Sequence, residues 1–562
     1  MQYARTSWMP GTPTIMLLTP VTDDTTVQLG IESVQYDSGK AGFVTARSSE
    51  ADRQTTPRVN GWLSALPPIK PSKTARIGLY SVGLHAYWDQ FPGLRDRLDG
   101  YGAFLAERLG TWGEVHHFGM VDTESSAREA GEWFSARNVD IVFCHSATYT
   151  TASTVLPVHQ LCNAPAVFLN LQPTAQIDYA QTTTGEWLAQ CGACAVPEHA
   201  NTFHRAGLSF RLVSGLLGLD QSPDGSLADE QTSHRPEAIR AWSEIAQWCQ
   251  AAAVKRTLRH SRFGFLGHTY GGMLDLYSDL TMVQTQTGMH IDVLELGDLS
   301  RLLPNVTGEE LAAKRQEVER AFAISEDDSS DPIARQPTED QLVWACTVAV
   351  AQERLVREHD LDALAYYVHG APGELDERVQ AGFIVGHSLL TGRGIPCAGE
   401  GDLKTALAMK ICDMLGVGGS FTEIVVVDYD AGAILLGHDG PFHGAIARQQ
   451  PVLRGMGLYH GKQGSGVSVE AAVRYGPVTT LNVTQTVDGR LKFISAEGIS
   501  IEGPTMKIGN TMTPVRFPRT PDEHLNAWCA QAPTHHCALS IGHNAALFGK
   551  VADLLGLEHV VI

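Results

Sequence analysis

Residues 76–83 read RIGLYSVG, a short apolar run with no polar alternation. A strand covered by helices on both faces has this pattern, because neither face is left for water. Helical spacing follows in FPGLRDRLDGYGAFLAERLG (91–110), which ends in Gly110. NVDIVFCHSA (138–147) and APAVFLNLQ (164–172) are two further apolar strands bounded by turn residues. Strand–helix–strand alternation predicts a doubly wound parallel sheet. Ligands of such sheets sit beyond the C-terminal strand ends, so His85, His145 and Gln172 fall at the expected rim. The competing reading of each is a polar group that satisfies backbone near a strand end.

A second alternating block begins near Arg256. SRFGFLGHTYGG (261–272) is a strand and a Gly-rich turn that carries His268, and MHIDVLELGDLSRLL (289–303) is a strand followed by a helix start. TEDQLVWACTVAVAQERLVREH (338–359) is a helix with Thr338 and Gln341 as its capping box. LDALAYYVHG (361–370) and FIVGHSLLTGRG (383–394) add a strand and a helix. Neither GxGxxG opening a helix nor GxxxxGK[ST] occurs, so nucleotide binding has no support. Beyond Gly418 the chain turns mainly β. SFTEIVVVDYDAGAILLGHDGP (420–441) reads as a hairpin around DAG, and VTTLNVTQTVDGRLKFISAEGISIEG (478–503) as another around DG. THHCALSIGHNAALFGKVADLLG (534–556) reads as a loop and a helix. The expected organisation is a poorly ordered extension (1–73), two Rossmann-like α/β domains (74–255 and 256–418) and a β-rich C-terminal domain (419–562).

Bulk properties limit the function. The chain has 562 residues, 43% of them hydrophobic, and a formal net charge of −20. That charge argues against nucleic acid or an anionic membrane as partner. No apolar run reaches the roughly 18–20 residues of a membrane span. The N-terminal TIMLL is too short for a signal peptide core, so a cytoplasmic location is expected. Ten scattered cysteines fit reduced thiols, and CGAC (191–194) has no second CxxC to complete a zinc site.

One stretch invites chemistry. In CAGEGDLKTALAMKI (397–411), Glu400 sits between two glycines just ahead of a helix capped by Asp402. The helix reads as amphipathic, with Leu403, Ala406, Leu407, Ile411 and Leu415 forming its stripe. In the following hairpin, a two-residue Ala431–Gly432 turn would set Val425 opposite His438 and Glu423 diagonal to it on one face. Of the neighbouring His535 and His536, one would be a ligand and the other a substrate or supporting contact. Two carboxylates and two imidazoles make a mixed oxygen/nitrogen site suited to Mn²⁺, and also to Co²⁺, Zn²⁺ or Fe²⁺.

These segments resemble the L-arabinose isomerase family and, more broadly, the L-fucose/L-arabinose isomerase superfamily. The resemblance is carried by GEGDLKTALAMKI, GSFTE, LLGH and THHCALS, in that order, and by RHSRFGFLGHTYGGM, HIDVLELGDL and IGLYSVGLHAYW. It covers about residues 75–562. It implies two α/β domains and a β-rich domain, a homo-oligomer (trimer or hexamer) with sites between subunits, and aldose–ketose interconversion with a divalent metal, most often Mn²⁺ (Co²⁺, Mg²⁺ or Zn²⁺ being alternatives). Its metal ligands fall on Glu400, Glu423, His438 and His536, with the two glutamates as acid/base pair. His85, Gln172, His268 and His535 are the candidate contacts to a free pentose or deoxyhexose. Leu84 stands where a sugar-contacting Gln is expected, and DGPFHG (439–444) looks more like fucose isomerases. The alternatives are a metal-dependent lyase or hydrolase of a sugar acid, and a catalytically silent sugar-binding relative.

Overall fold

The computed structural model describes residue 70 and residues 72–220, 231–459 and 464–562. All of these fall in one unit, Thr55–Ile562. The extension expected over 1–73 thus lies almost wholly outside the described residues. Its last few residues are tied down: Lys70 pairs with Asp360 (2.7 Å) and Asp362 (3.4 Å), and the Lys73 N–H donates to Thr257 Oγ1 (3.0 Å).

The first sheet is parallel throughout. It comprises β1 (Ala75–Val82), β2 (Gly113–Val121), β3 (Ile141–Ser146), β4 (Ala166–Gln172) and β5 (Leu212–Leu216), in the order β2-β1-β3-β4-β5. Every residue of β3 is buried, including His145 and Ser146 at its end, as a central strand covered on both faces requires. The edge strand β2, with sequence GEVHHFGMV, is only partly buried and carries no continuous apolar run. A second parallel sheet has the order β11-β10-β6-β7, built from β6 (Arg262–Gly267), β7 (His290–Leu294), β10 (Ala363–Tyr367) and β11 (Cys397–Ala398). Between β7 and β10 lie the two-residue strands β8 (Ala323–Ile324) and β9 (Ala334–Arg335). These two sheets are consistent with Rossmann-like α/β architecture.

The remainder is a mixed-sheet region. It contains β12 (Ser420–Asp428), β13 (Ala433–His438), β14 (Val452–Met456), β15 (Gly466–Glu470), β16 (Gly476–Gln485), β17 (Leu491–Ser500), β18 (Thr511–Arg516), β19 (His536–Ile541) and β20 (Glu558–Val561). β14 pairs with β15 and with the short strands β8 and β9. The other seven run β16-β19-β12-β13-β18-β17-β20, and a further β16–β17 pairing closes the path from β16 to β17 into a ring. Ring closure removes sheet edges that would otherwise present unpaired backbone groups.

Three expectations need correction. HCALSI is not loop but strand β19, hydrogen-bonded to both β12 and β16. The hairpin does not turn on Ala431–Gly432 alone. Asp428 pairs with Ala433, and a bulge at Val425 shifts the register so that Glu423 faces Gly437. A bulge adds one residue to one strand and re-aims the side chains beyond it. Third, the helix Leu403–Met414 is not a surface amphipath, because all of residues 403–412 are buried. It packs against β10 on one side and β16 and β19 on the other. Its Asp402 N-cap is present, with the carboxylate accepting from the Thr405 N–H (2.9 Å), and Gly416 takes the left-handed conformation just past its end.

Among the described residues, no helix is long and apolar enough to cross a membrane. Cys191 and Cys194 are free thiols with Sγ atoms 3.0 Å apart, and neither joins a metal-ligating group among the described residues.

Gly437 tests how tightly this packing sets the site. A Cβ there would lie 1.9 Å from the Thr511 carbonyl oxygen, so β13 and β18 would have to part. Gly437→Ala is expected to cost about 3 kcal/mol of stability, read as a lower denaturation midpoint in urea.

Candidate metal centre

The site grows from the chain reversal after β11. Glu400 is a non-glycine residue in the left-handed region (φ 59°, ψ 15°) and is buried. Such a backbone costs about 1–2 kcal/mol and persists only where its surroundings hold it. Here the Tyr270 N–H donates to the Glu400 carbonyl (3.0 Å), and Gly401 (φ 69°) lies against the His268–Thr269 backbone. A Cβ on Gly401 would sit 2.5 Å from the His268 carbonyl oxygen, so only glycine fits.

Three imidazoles converge on the Glu400 carboxylate. His536 Nε2 is 3.3 Å from Oε2, His535 Nε2 is 3.7 Å from Oε2, and His438 Nε2 is 4.0 Å from Oε1. Glu423 joins from β12, where it pairs directly with His536 across β19. In a regular pleat His438, one residue past Gly437, would point to the opposite face. At the strand end its ring nevertheless comes to the cluster. Ligand atoms of Glu423, His438 and His536 lie within 4.8 Å of one another, as do those of Glu400, His535 and His536. Phe421 packs against His438 and His536, with ring centroids 4.6 and 4.4 Å away.

The far nitrogen of each ring meets a carboxylate. His536 Nδ1 is 3.0 Å from Asp402 Oδ2, and His535 Nδ1 is 2.7 Å from Asp275 Oδ2. His438 Nδ1 lies 2.9 Å from Asp439 Oδ1. An ionised carboxylate only accepts, so Nδ1 of His535 and of His536 carries the proton, and Nε2 is the nitrogen turned to the cluster. Asp275 also accepts the His535 backbone N–H (2.9 Å). Its segment is held by Lys404, 1% exposed, whose Nζ donates to the Leu276 and Tyr277 carbonyls and Ser278 Oγ at 3.0–3.2 Å.

Electrostatics follow from this arrangement. Burial pulls the His536 imidazole down, but Asp402's hydrogen bond and Glu400's proximity outweigh it and hold the ring up at about 9. Burial pushes Glu400 up, yet the nearby His535, His536 and His438 hold it well below the usual carboxylate range. His535 is raised: burial lowers it, and contacts with Glu400 and Asp275 more than offset that.

The donor set fits a divalent cation. Glu400 Oε2 and His536 Nε2 are buried and have no hydrogen-bond partner among the described residues, although they approach each other. Buried polar atoms left unpaired are uncommon and call for a further occupant. Mixed carboxylate and imidazole donors suit first-row divalent metals.

The other predicted contacts fall elsewhere. His268 flanks the site through its backbone, while its ring Nδ1 is 2.8 Å from the Thr269 carbonyl. The largely exposed His85 faces Asp122 at 3.6 Å, and Gln172 donates to Gln190 Oε1 (3.3 Å), both at the rim of the first sheet. His145 is buried beside Ser81 Oγ (3.0 Å). Sequence reading gave Asp402 a capping role only and missed Asp275, Asp439 and Lys404 altogether. The one signal on hand was an acidic residue directly beside each of Glu400's helix and His438.

No protein-family model matches the chain. Among curated proteins it is similar to L-arabinose isomerases. It is 23% identical to that of Aeromonas salmonicida over 338 residues, 57% of this chain and 64% of the relative. It is 21% identical to that of Aeromonas hydrophila over 376 residues (64% and 70%) and 22% identical to that of Bacillus subtilis over 333 residues (57% and 64%). The chain thus spans under two thirds of the length of the first and third of these. Together the matches support a distant family relationship. Similar solved structures include a substrate-binding protein with adhesive properties from Clostridium difficile (11% identity, 61% of this chain, 95% of that chain, TM-score 0.15). A carbohydrate transporter from Acidothermus cellulolyticus in complex with myo-inositol gives 13% identity, 57% and 91% coverage and a TM-score of 0.13. TM-scores this low bear on neither fold nor function.

Asp402→Asn keeps an N-cap acceptor but replaces the carboxylate that orients His536. It is expected to weaken divalent-metal binding about 10- to 100-fold by calorimetry while leaving helix content unchanged. His536 must also shed its proton to bind a cation. Metal affinity is therefore expected to rise about tenfold per pH unit between about pH 7 and 9 and to level above. The raised imidazole stabilises the metal-free protein fully below about pH 6.5 and ceases to as pH passes 9. The melting temperature of the metal-free protein should accordingly fall across that window.

Proposed function

We propose that this chain is a divalent-metal-dependent aldose–ketose isomerase acting on a free pentose or deoxyhexose of the L-arabinose or L-fucose type. The observation that carries the reading is a pair of overlapping metal-ligating groups, Glu400 with His535 and His536, and Glu423 with His438 and His536, which share the buried His536. The distant similarity to L-arabinose isomerases supports it independently.

In this reading Glu400, Glu423, His438 and His536 hold the cation, Mn²⁺ first and Co²⁺, Mg²⁺ or Zn²⁺ as substitutes. A bound divalent ion supplies Lewis-acid polarisation of a substrate carbonyl. The residues do the rest. Isomerisation moves a proton between two adjacent carbons, and a carboxylate within hydrogen-bond reach is suited to carry it. Glu400, surrounded by imidazoles and held strongly acidic, is a weak base and serves mainly as ligand. Glu423, half-buried on β12 at the edge of the cluster, is the better proton carrier. His535, about a third exposed and oriented by Asp275, faces an incoming hydroxyl. His85 and Gln172 lie at the first-sheet rim, where a homo-oligomer, trimer or hexamer, would let a neighbouring subunit use them. The cytoplasmic location and the boundaries near residues 255 and 418 belong to the same proposal.

The test is metal rescue on a sugar panel. Protein stripped with a chelator is expected to be inert and to form ketose from L-arabinose or L-fucose once Mn²⁺ or Co²⁺ is restored, with Glu423→Gln at least about 100-fold slower. Metal binding without ketose formation from any aldose tried would sink the isomerase reading.

A further inference from the structure

A small enclosed recess lies beside the cluster, bounded by Glu400 and His438 but not by Glu423, His535 or His536. Its volume is about 30 Å³. That admits one or two water-sized groups and not a whole sugar. The walls are of two kinds. Phe383 and Ile384 offer apolar surface, and Tyr366, Tyr459 and Gln380 offer polar groups. Tyr459 is 4% exposed, and its Oη has no hydrogen-bond partner among the described residues. Gln380 Nε2 is likewise buried and unpartnered among them, as is Glu400 Oε2. Burial, and then the charge of Asp439, push the Tyr459 phenol up, so it stays a neutral O–H donor.

Buried donors without partners are costly, and two of them at one recess, Tyr459 Oη and Gln380 Nε2, indicate an occupant that completes them. The chemistry of that occupant is restricted. Neither Lys nor Arg lines the recess, while Glu400 and Asp439 both do. An anionic group would face two carboxylates, with the His438 imidazole as the one basic side chain among the walls. A hydroxyl on a short carbon stem matches these walls in kind, with an oxygen able to accept from Tyr459 or Gln380, a proton for a carboxylate and a carbon suited to Phe383 and Ile384.

We infer that this recess is a substrate subsite for one uncharged hydroxyl or hydroxymethyl group of a neutral polyol chain, held by Tyr459 Oη and Gln380 Nε2. The inference rests on the sugar-isomerase reading and deepens it: the substrate reaches the site unphosphorylated at the end that enters the recess. Tyr459 and Gln380 are then specificity determinants lying outside the metal-ligand set.

The test is equilibrium binding to the full chain loaded with Mn²⁺, using L-arabinitol as a neutral probe and L-arabinitol 5-phosphate as its terminally charged counterpart. Tyr459→Phe and, separately, Gln380→Met are each expected to weaken L-arabinitol about tenfold. Binding of the phosphate is expected to be weaker and the same in wild type and variants. Mn²⁺ affinity at the wild-type value shows that a variant is folded. The inference is overturned if wild type does not bind L-arabinitol, if both variants bind it as wild type does, or if they weaken both probes equally. The two readings separate cleanly. Arabinitol binding through Tyr459 without turnover of any aldose keeps the subsite and removes the isomerase. Ketose formation with an unaffected Tyr459→Phe does the reverse.

Discussion

Asp402 is the constraint on which the site depends. It is completely buried, and its two oxygens serve three donors. Oδ1 accepts the Thr405 N–H, and Oδ2 accepts the Thr405 hydroxyl (2.7 Å) and faces His536 Nδ1 (3.0 Å). One carboxylate thereby starts the buried helix and fixes the ring of a histidine on β19. Capping alone is worth about 1 kcal/mol. Removing a partner from a buried charge typically costs about 3–5 kcal/mol. The imidazole contact is thus the larger share, and the helix and strand cannot shift independently.

The same economy of means recurs around the cluster. The helix Leu403–Met414 is buried on all sides, yet it carries two lysines. Lys404 spends its charge on two carbonyls and a hydroxyl of the segment next to Asp275, and Lys410 donates to the Gly394 carbonyl (2.8 Å). Burial lowers both ammonium groups, and nearby carboxylates, Asp402 and Asp275 for Lys404 and Asp413 and Asp362 for Lys410, only partly restore them. Their value is positional. Without Lys404, the segment holding Asp275 would lose its anchor, and His535 its orientation.

Histidine orientation by a carboxylate on the far nitrogen is a general feature of metal sites, since it selects the tautomer and raises ligand basicity. It occurs here for His535 and His536, and His438 has Asp439 at a comparable distance. Three carboxylates standing behind the imidazoles and two in front make the centre strongly acidic. That balance favours a cation.

Much of the architecture was legible in the amino-acid order. Apolar runs such as IVFCHS and ALAYY mark strands buried on both faces, and Thr338 with Gln341 marks a helix start, because these signals arise between near neighbours. Glu400 between glycines stood out for the same reason: only a constrained loop needs that backbone. What sequence reading could not reach was set by strand pairing between distant segments. His536 and Asp402 are 134 residues apart, and His535 and Asp275 are 260 apart. The bulge at Val425 depends on how β12 fits between β13 and β19, so counting residues through the turn put Glu423 in the wrong register. The helix after Glu400 looked amphipathic because its apolar residues recur at helical spacing, and only the packing of β10, β16 and β19 around it buries its two lysines as well. Local pattern determines which elements form. The alignment of those elements, fixed by hydrogen bonding between strands and by the closed ring, decides which side chains meet.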